Sequence, residues 1–381
     1  MKFVMFYHSF SSCWNNGNAH FLRGLARELI RLRHEVTVYE PAHGWSKTNA
    51  LGDGGADALA EAAALVPGVT IVPYVETSLD LDRALEGANV VLVHEWNSPE
   101  LIAAIGRRRS NGGRFTLLFH ETHHRAITAP KEIEKFDIDG YDAVLAFGEV
   151  LREVYLDRGW TSRAFTWHEA ADTALFRFIP HLEKDTDLVW IGNWGDDERS
   201  KDLHQFLIKP ITRLGIAAAI HGVRYPAAVR KTLAEAGIRY RGWLPNHRAP
   251  EVFARARVTV HVPRGPYVAR LPGIPTIRVF EALACGIPLI CSPWHDAEFL
   301  FPAGSYLTAR NADEMTNAIG RVLKDPELAK ELVRTGHQAV WRRHTCAHRV
   351  RELFRIVETL RGNSVNAPSE LAHEQERVSA P

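Results

Sequence analysis

The feature that most limits what this chain can fold into is a strand-then-helix alternation that runs along nearly all of it. Apolar runs of strand type stand at 2–7, 35–39, 69–73, 89–93, 115–119, 143–147 and 164–167, with helical spacing between them at 17–34, 57–66, 99–108 and 149–158. A helix after each strand carries the chain back to start the next one, so neighbouring strands are expected to be parallel, with helices on both faces. A stretch at 172–185, with Pro180 and a charged cluster, breaks the rhythm and reads as a linker. The alternation restarts with strands expected at 188–192, 216–221, 258–262 and 288–291, and helices at 201–208, 227–236, 248–255, 275–285 and within 312–360. The 381 residues suit two domains at roughly 100–200 residues each. The expected division is a first domain over 1–175 and a second over 186–340. A helix at 341–361 returns to the first domain, and a polar, disordered tail covers 362–381.

Composition narrows the function classes. Lys and Arg number 46 against 45 Asp and Glu, a net charge of +1. That balance excludes a dedicated nucleic-acid binder, which needs a basic excess. The four cysteines form no C-x-x-C pair, as in a chain kept reduced. The apolar run at 3–7 is too short for a signal-peptide core, and no run is long enough to span a membrane. The expected location is cytoplasmic. Arg23, Arg27, Arg31 and Arg33 leave peripheral membrane contact open, against the plainer reading of a solvated helix face.

In open parallel sheets ligands bind beyond the carboxyl ends of the strands, so the residues just after strands carry the information. The strongest segment is PGIPTIRVFEALACGIP, 272–288. Pro275 suits a first helical turn and Gly286 a helix end, so sequence alone bounds a helix there. Its start, at Thr276, offers free backbone N–H groups to an anion such as a diphosphate, and Arg278 adds a guanidinium. Glu281 lies among apolar neighbours and needs a partner, either a ribose diol or, more plainly, Arg278 three residues earlier on an exposed face.

FEALACGIPLICS resembles the nucleotide-sugar signature of group-1 glycosyltransferases. GWLPN at 242–246, LVWIGN at 188–193 and DTALF at 172–176 are similar to other parts of that family in the same order. WNNGNAHFLRGLARELIRLRHEVTVYE and HEAADTALF look most like the spore-maturation CgeB-like branch. The resemblance runs to about residue 361. It implies the GT-B fold, two Rossmann-like doubly wound domains facing across a cleft. It also implies transfer of a sugar from a nucleotide-diphosphate donor to an acceptor hydroxyl, with retention and without a metal or other cofactor. The family pattern carries two glutamates eight positions apart. The second falls on Glu281, implying a ribose contact, and the first on Gly273, which has no side chain. For the diphosphate, Asn193 stands at the family's arginine position, and Arg199 or Lys201 replaces its lysine. Gly192, Arg264 and Arg270 are further donor-side candidates, and Trp243 is a candidate neighbour of the base.

FHETHHR, 119–125, directly follows a strand run. In the resemblance, His120 falls on the histidine near the donor sugar, with Glu121 as a second polar contact or base. The same residues also fit the zinc pattern His-Glu-x-x-His as His120, Glu121 and His124, which works only on a helix. Asn18, His20, His94 and Glu95, with His168 and Glu169, are expected to shape the acceptor side. Partners are then a nucleotide sugar and an acceptor, with no nucleic acid. The rival readings are a nucleotide-sugar epimerase of the same fold, a non-catalytic nucleotide-sugar-binding protein and a zinc hydrolase.

Overall fold

The computed structural model describes residues 1–195 and 199–362. The tail expected beyond residue 362 lies outside the described residues. Seven parallel strands, β1 (Lys2–Phe6), β2 (Glu35–Pro41), β3 (Thr70–Tyr74), β4 (Val90–His94), β5 (Thr116–Glu121), β6 (Ala143–Ala146) and β7 (Ala164–Thr166), make the first sheet. Their order is β3-β2-β1-β4-β5-β6-β7. A second parallel sheet holds β8 (Thr186–Ile191), β9 (Ala218–His221), β10 (Arg239–Tyr240), β11 (Ala256–His261), β12 (Leu289–Cys291) and β13 (Leu307–Thr308), ordered β10-β9-β8-β11-β12-β13. Strand order reverses between β1 and β4 and again between β8 and β11. A crevice opens at such a switch point because the flanking crossovers leave in opposite directions.

Buried runs explain the strands. Val90–His94 and Thr116–Glu121 are buried at every position, as a central parallel strand covered on both faces must be. One apolar core lies between the sheets and joins the lobes: Phe3, Phe21 and Trp167 belong to it together with Val189, Phe253 and Phe280. The helix Cys346–Leu360 crosses back and packs against Ala19–Arg31. Phe354 meets Phe3 edge-on at 6.1 Å, and the Trp167 indole donates to the Arg349 carbonyl at 2.9 Å. Among the described residues no helix is long and apolar enough to cross a membrane.

Several boundaries differ from expectation. β2 continues through Pro41, which pairs in register with Tyr74, because a proline at a strand end removes no needed donor. The single helix expected at 201–208 is Ser200–Leu203, a π-turn at His204–Ile208, then Lys209–Leu214. Pro210 supplies no N–H to the preceding turn, which widens around it. Pro275 lies outside its helix, which runs Ile277–Cys285 with Thr276 as N-cap; Gly286, at φ +67°, ends it as expected.

Candidate active site

The carboxyl ends of the switch-point strands in both sheets open onto one cleft of about 910 Å³. Its C-lobe wall carries four guanidinium groups: Arg199, Arg224, Arg264 and Arg278. Arg199 lies over Trp190, 5.3 Å from the ring centre, and donates to the Asn193 and Val262 carbonyls. Arg224 sits at φ +64°, and Asn15 opposite at φ +51°; both line the cleft, and backbone held in this region clusters at functional sites. Thr276 receives or donates a 2.9 Å bond with His261 Nε2, at the end of β11, while His261 Nδ1 is buried without a hydrogen-bond partner. Burial, then Arg199 and Arg278, push the His261 pKa down to about 3, so the ring is neutral.

The N-lobe wall carries rings without charge. His8 and His123 line it, and burial holds their pKa values at about 4 and about 2. Two tryptophans on this wall remain open, Trp45 at 49% and Trp96 at 43% exposure. The Arg125 guanidinium stacks 3.9 Å from the Trp96 ring centre, and the Glu95 carboxylate, 2.7 Å away, neutralises it.

Nine of the residues singled out in the sequence line this cleft: Gly192, Asn193, Arg199, Arg264, Thr276 and Arg278 on one wall and Asn18, His124 and Glu169 on the other. The rest are placed elsewhere. Glu281 is fully buried behind the wall. One oxygen lies 2.8 Å from His20 Nδ1 and the other pairs with Arg278. The i,i+3 pair with Arg278 therefore exists, but in the interior, and in this structure no edge of the carboxylate is open to a ribose. His20 is likewise buried, its ring 4.3 Å from Phe176.

β5 runs two residues further than expected, and that extension buries the two residues expected to be catalytic. His120 Nδ1 is 2.8 Å from the Tyr7 hydroxyl, its ring is 5.0 Å from Trp167, and burial lowers its pKa to about 3. Glu121, on the opposite face, accepts from the Tyr155 hydroxyl at 2.5 Å; burial and Glu95 hold its carboxyl well above the usual range. His94 and Glu95 sit below the wall, bracing Thr122 through its hydroxyl and its N–H. Because His120 and Glu121 are strand neighbours and His124 follows a turn, the helical spacing a zinc site requires is absent. Trp243 packs beside Gly55 and against the cluster of Trp14, Ala50 and Val223 at the lobe boundary rather than on the cleft. Lys201 faces a separate surface groove with His204 and Lys209.

The space beside Gly273 is occupied. At φ +86°, a side chain there would come within 2.6 Å of Glu298 Cγ. Glu298 reaches across the lobes to His168 Nε2 at 2.7 Å and the Glu149 N–H at 2.9 Å. His8, Arg224, His261 and Tyr267 were not singled out by sequence. His8 and His261 stand at the ends of switch-point strands, which was the available signal; nothing marks Arg224 or Tyr267.

Residues 199–355 match a family model described as glycosyl transferase-like. No curated protein matches the chain. Among solved structures it is similar to sucrose-phosphate synthase from Thermosynechococcus elongatus, at 15% identity and TM-score 0.64, over 96% of this chain and 100% of that one. It is similar to a glycosyltransferase from Rickettsia africae at 10% identity and TM-score 0.66, over 95% and 99%. It is also similar to HepE of Anabaena, solved with UDP-glucose, at 12% identity and TM-score 0.66, over 94% and 100%. Likeness at this identity establishes the fold: two Rossmann-like domains in the GT-B arrangement.

Proposed function

We propose that this glycosyl transferase-like chain is a glycosyltransferase of the CgeB-like branch. It moves a sugar from a nucleotide-diphosphate donor on the C-lobe wall to an acceptor hydroxyl on the N-lobe wall. The supporting observation is the distribution of charge across the cleft: four guanidinium groups on one wall, and on the other neutral imidazoles and open indoles, with its one guanidinium, Arg125, paired to Glu95 and Glu132. A diphosphate is stabilised where guanidiniums and a helix start converge. An uncharged polyol meets no desolvated charge opposite. In this reading Arg264, Arg278 and Arg199 take the negative charge of the departing diphosphate in place of a metal, and retention is what the family resemblance implies. Gly192 gives the nucleotide close backbone approach, and Asn18 contacts the acceptor. Closure of the lobes shields the donor from water. The expected location is cytoplasmic.

The test is calorimetric titration of UDP, GDP, ADP and dTDP, UDP first because HepE was solved with UDP-glucose. One should bind, and Arg264→Ala should weaken it by about 10-fold or more, the value of a charge-assisted bond. Absence of binding by all four overturns the reading.

A further inference from the structure

The cleft wall carries two carboxyl groups among the described residues, Glu132 and Glu169. Glu132 is exposed, whereas Glu169 is 4% exposed. The backbone around Glu169 is fixed: its carbonyl accepts from Arg349 Nε at 3.3 Å, and the Ala171 N–H donates to the His344 carbonyl at 3.0 Å. From this N-lobe anchor the carboxyl group crosses to the C-lobe and lies toward the main-chain N–H of Ile277, the first residue of the helix Ile277–Cys285. The first N–H expected to face a diphosphate therefore already faces an acid.

The groups facing this carboxyl come from three elements. Glu281 and Arg278 belong to the helix it faces, and Arg278 is engaged by Glu281. Tyr267 belongs to Gly265–Arg270. Arg349, from Cys346–Leu360, reaches only the main-chain oxygen. Two acids thus stand near one helix start, and the cation goes to Glu281. Burial and the Glu281 charge hold the Glu169 carboxyl well above the ordinary carboxylate range. A protonated carboxyl has one O–H to give, and its other oxygen can face the Ile277 N–H. At the same helix start the buried Nδ1 of His261 has no hydrogen-bond partner, although its ring is fixed through Thr276, the N-cap. Glu169 and His261 both line the cleft together with the helix start at Thr276 and Ile277.

We propose that Glu169 is a donor-contacting residue, its carboxyl O–H hydrogen-bonded to a phosphate oxygen of the nucleotide diphosphate at the start of the helix Ile277–Cys285. This rests on the nucleotide-diphosphate reading above. An ionised carboxylate here would repel the diphosphate; a protonated one donates to it, and more strongly as charge builds on the leaving group.

The experiment measures UDP, GDP, ADP and dTDP affinity calorimetrically for wild type, Glu169→Gln and Glu169→Ala, from about pH 6 to about pH 9. Gln is uncharged, has the same shape and donates, so Glu169→Gln should keep wild-type affinity at the acid end. Glu169→Ala should lose about 10-fold. Wild type should weaken toward alkaline pH, and Glu169→Gln should weaken less, since only the titration of the nucleotide itself remains. Wild-type affinity in Glu169→Ala, equal loss in both variants, or identical pH profiles for wild type and Glu169→Gln would each overturn the role of Glu169 while leaving nucleotide binding intact. If wild type binds none of the four nucleotides, the functional reading fails first and takes this proposal with it. Equal melting temperatures for the three proteins separate lost contact from lost fold.

Discussion

At the residue scale two glutamates near one helix start divide the work by their partners. Glu281 has Arg278 and His20; Glu169 faces a backbone N–H and another acid. Their substitutions should therefore separate. Glu281→Ala leaves Arg278 and a buried imidazole facing an empty space, and breaking a buried pair from one side costs about 3–5 kcal/mol. Urea unfolding should show that loss in the midpoint, with Glu281→Gln between the two because it still offers an acceptor to Arg278. A midpoint within about 0.5 kcal/mol of wild type for Glu281→Ala would mean that the buried pair is not what holds this helix to the N-lobe. Glu169→Ala should by contrast register mainly in nucleotide affinity.

At the element scale the lobes meet where side chains are absent. Gly148, the N-cap of Glu149–Asp157, has extended backbone that any residue adopts, yet an added Cβ would overlap Ile274 of the opposite lobe. Gly148→Ala should cost about 1–3 kcal/mol as overpacking. Ile274→Ala should relieve it, so the double variant should be more stable than the sum of the single losses predicts. Strict additivity in thermal unfolding would show that the two elements do not press on each other. The same scale explains what was legible in the sequence. Strand-helix alternation and apolar runs give the parallel sheets and the helix that ends at Gly286, because burial on both faces demands them. Which residues at a strand end face the cleft was not legible, because side chains alternate at every step and a shift in the end of β5 moves His120 and Glu121 from a loop into the core. The Glu298 carboxyl beside Gly273 left no trace at all, since it comes from a separate loop of the same lobe, held there by the Gly273 N–H bond to the His295 carbonyl.

At the scale of the whole molecule, the most pervasive electrostatic feature is a set of buried, neutral imidazoles. Burial lowers the pKa of His8 to about 4, of His120, His261 and His344 to about 3, of His123 to about 2, and of His94 in the same direction. In the unfolded chain each titrates near 6.5. Below that pH the unfolded state takes up protons that the folded state refuses, so this stabilisation is complete above about 6.5 and is lost as pH falls toward the folded values. Glu121 and Glu169 act oppositely: their raised carboxyls favour the folded state at low pH and lose that contribution as pH rises through their folded values. Burial lowers His221 and His348 to about 4 as well, so the lowered imidazoles outnumber the two raised carboxyls, and the melting temperature should be lower at about pH 5 than at about pH 7. His8 and His123 on the cleft wall belong to the same set, so mild acid should leave those rings uncharged in every molecule still folded. Activity at about pH 5 should then follow the folded fraction, measured on one sample by circular dichroism and by donor turnover. Turnover that falls while the folded fraction holds would mean that His8 or His123 gains its proton in the native protein, and the uncharged acceptor wall would have to be given up.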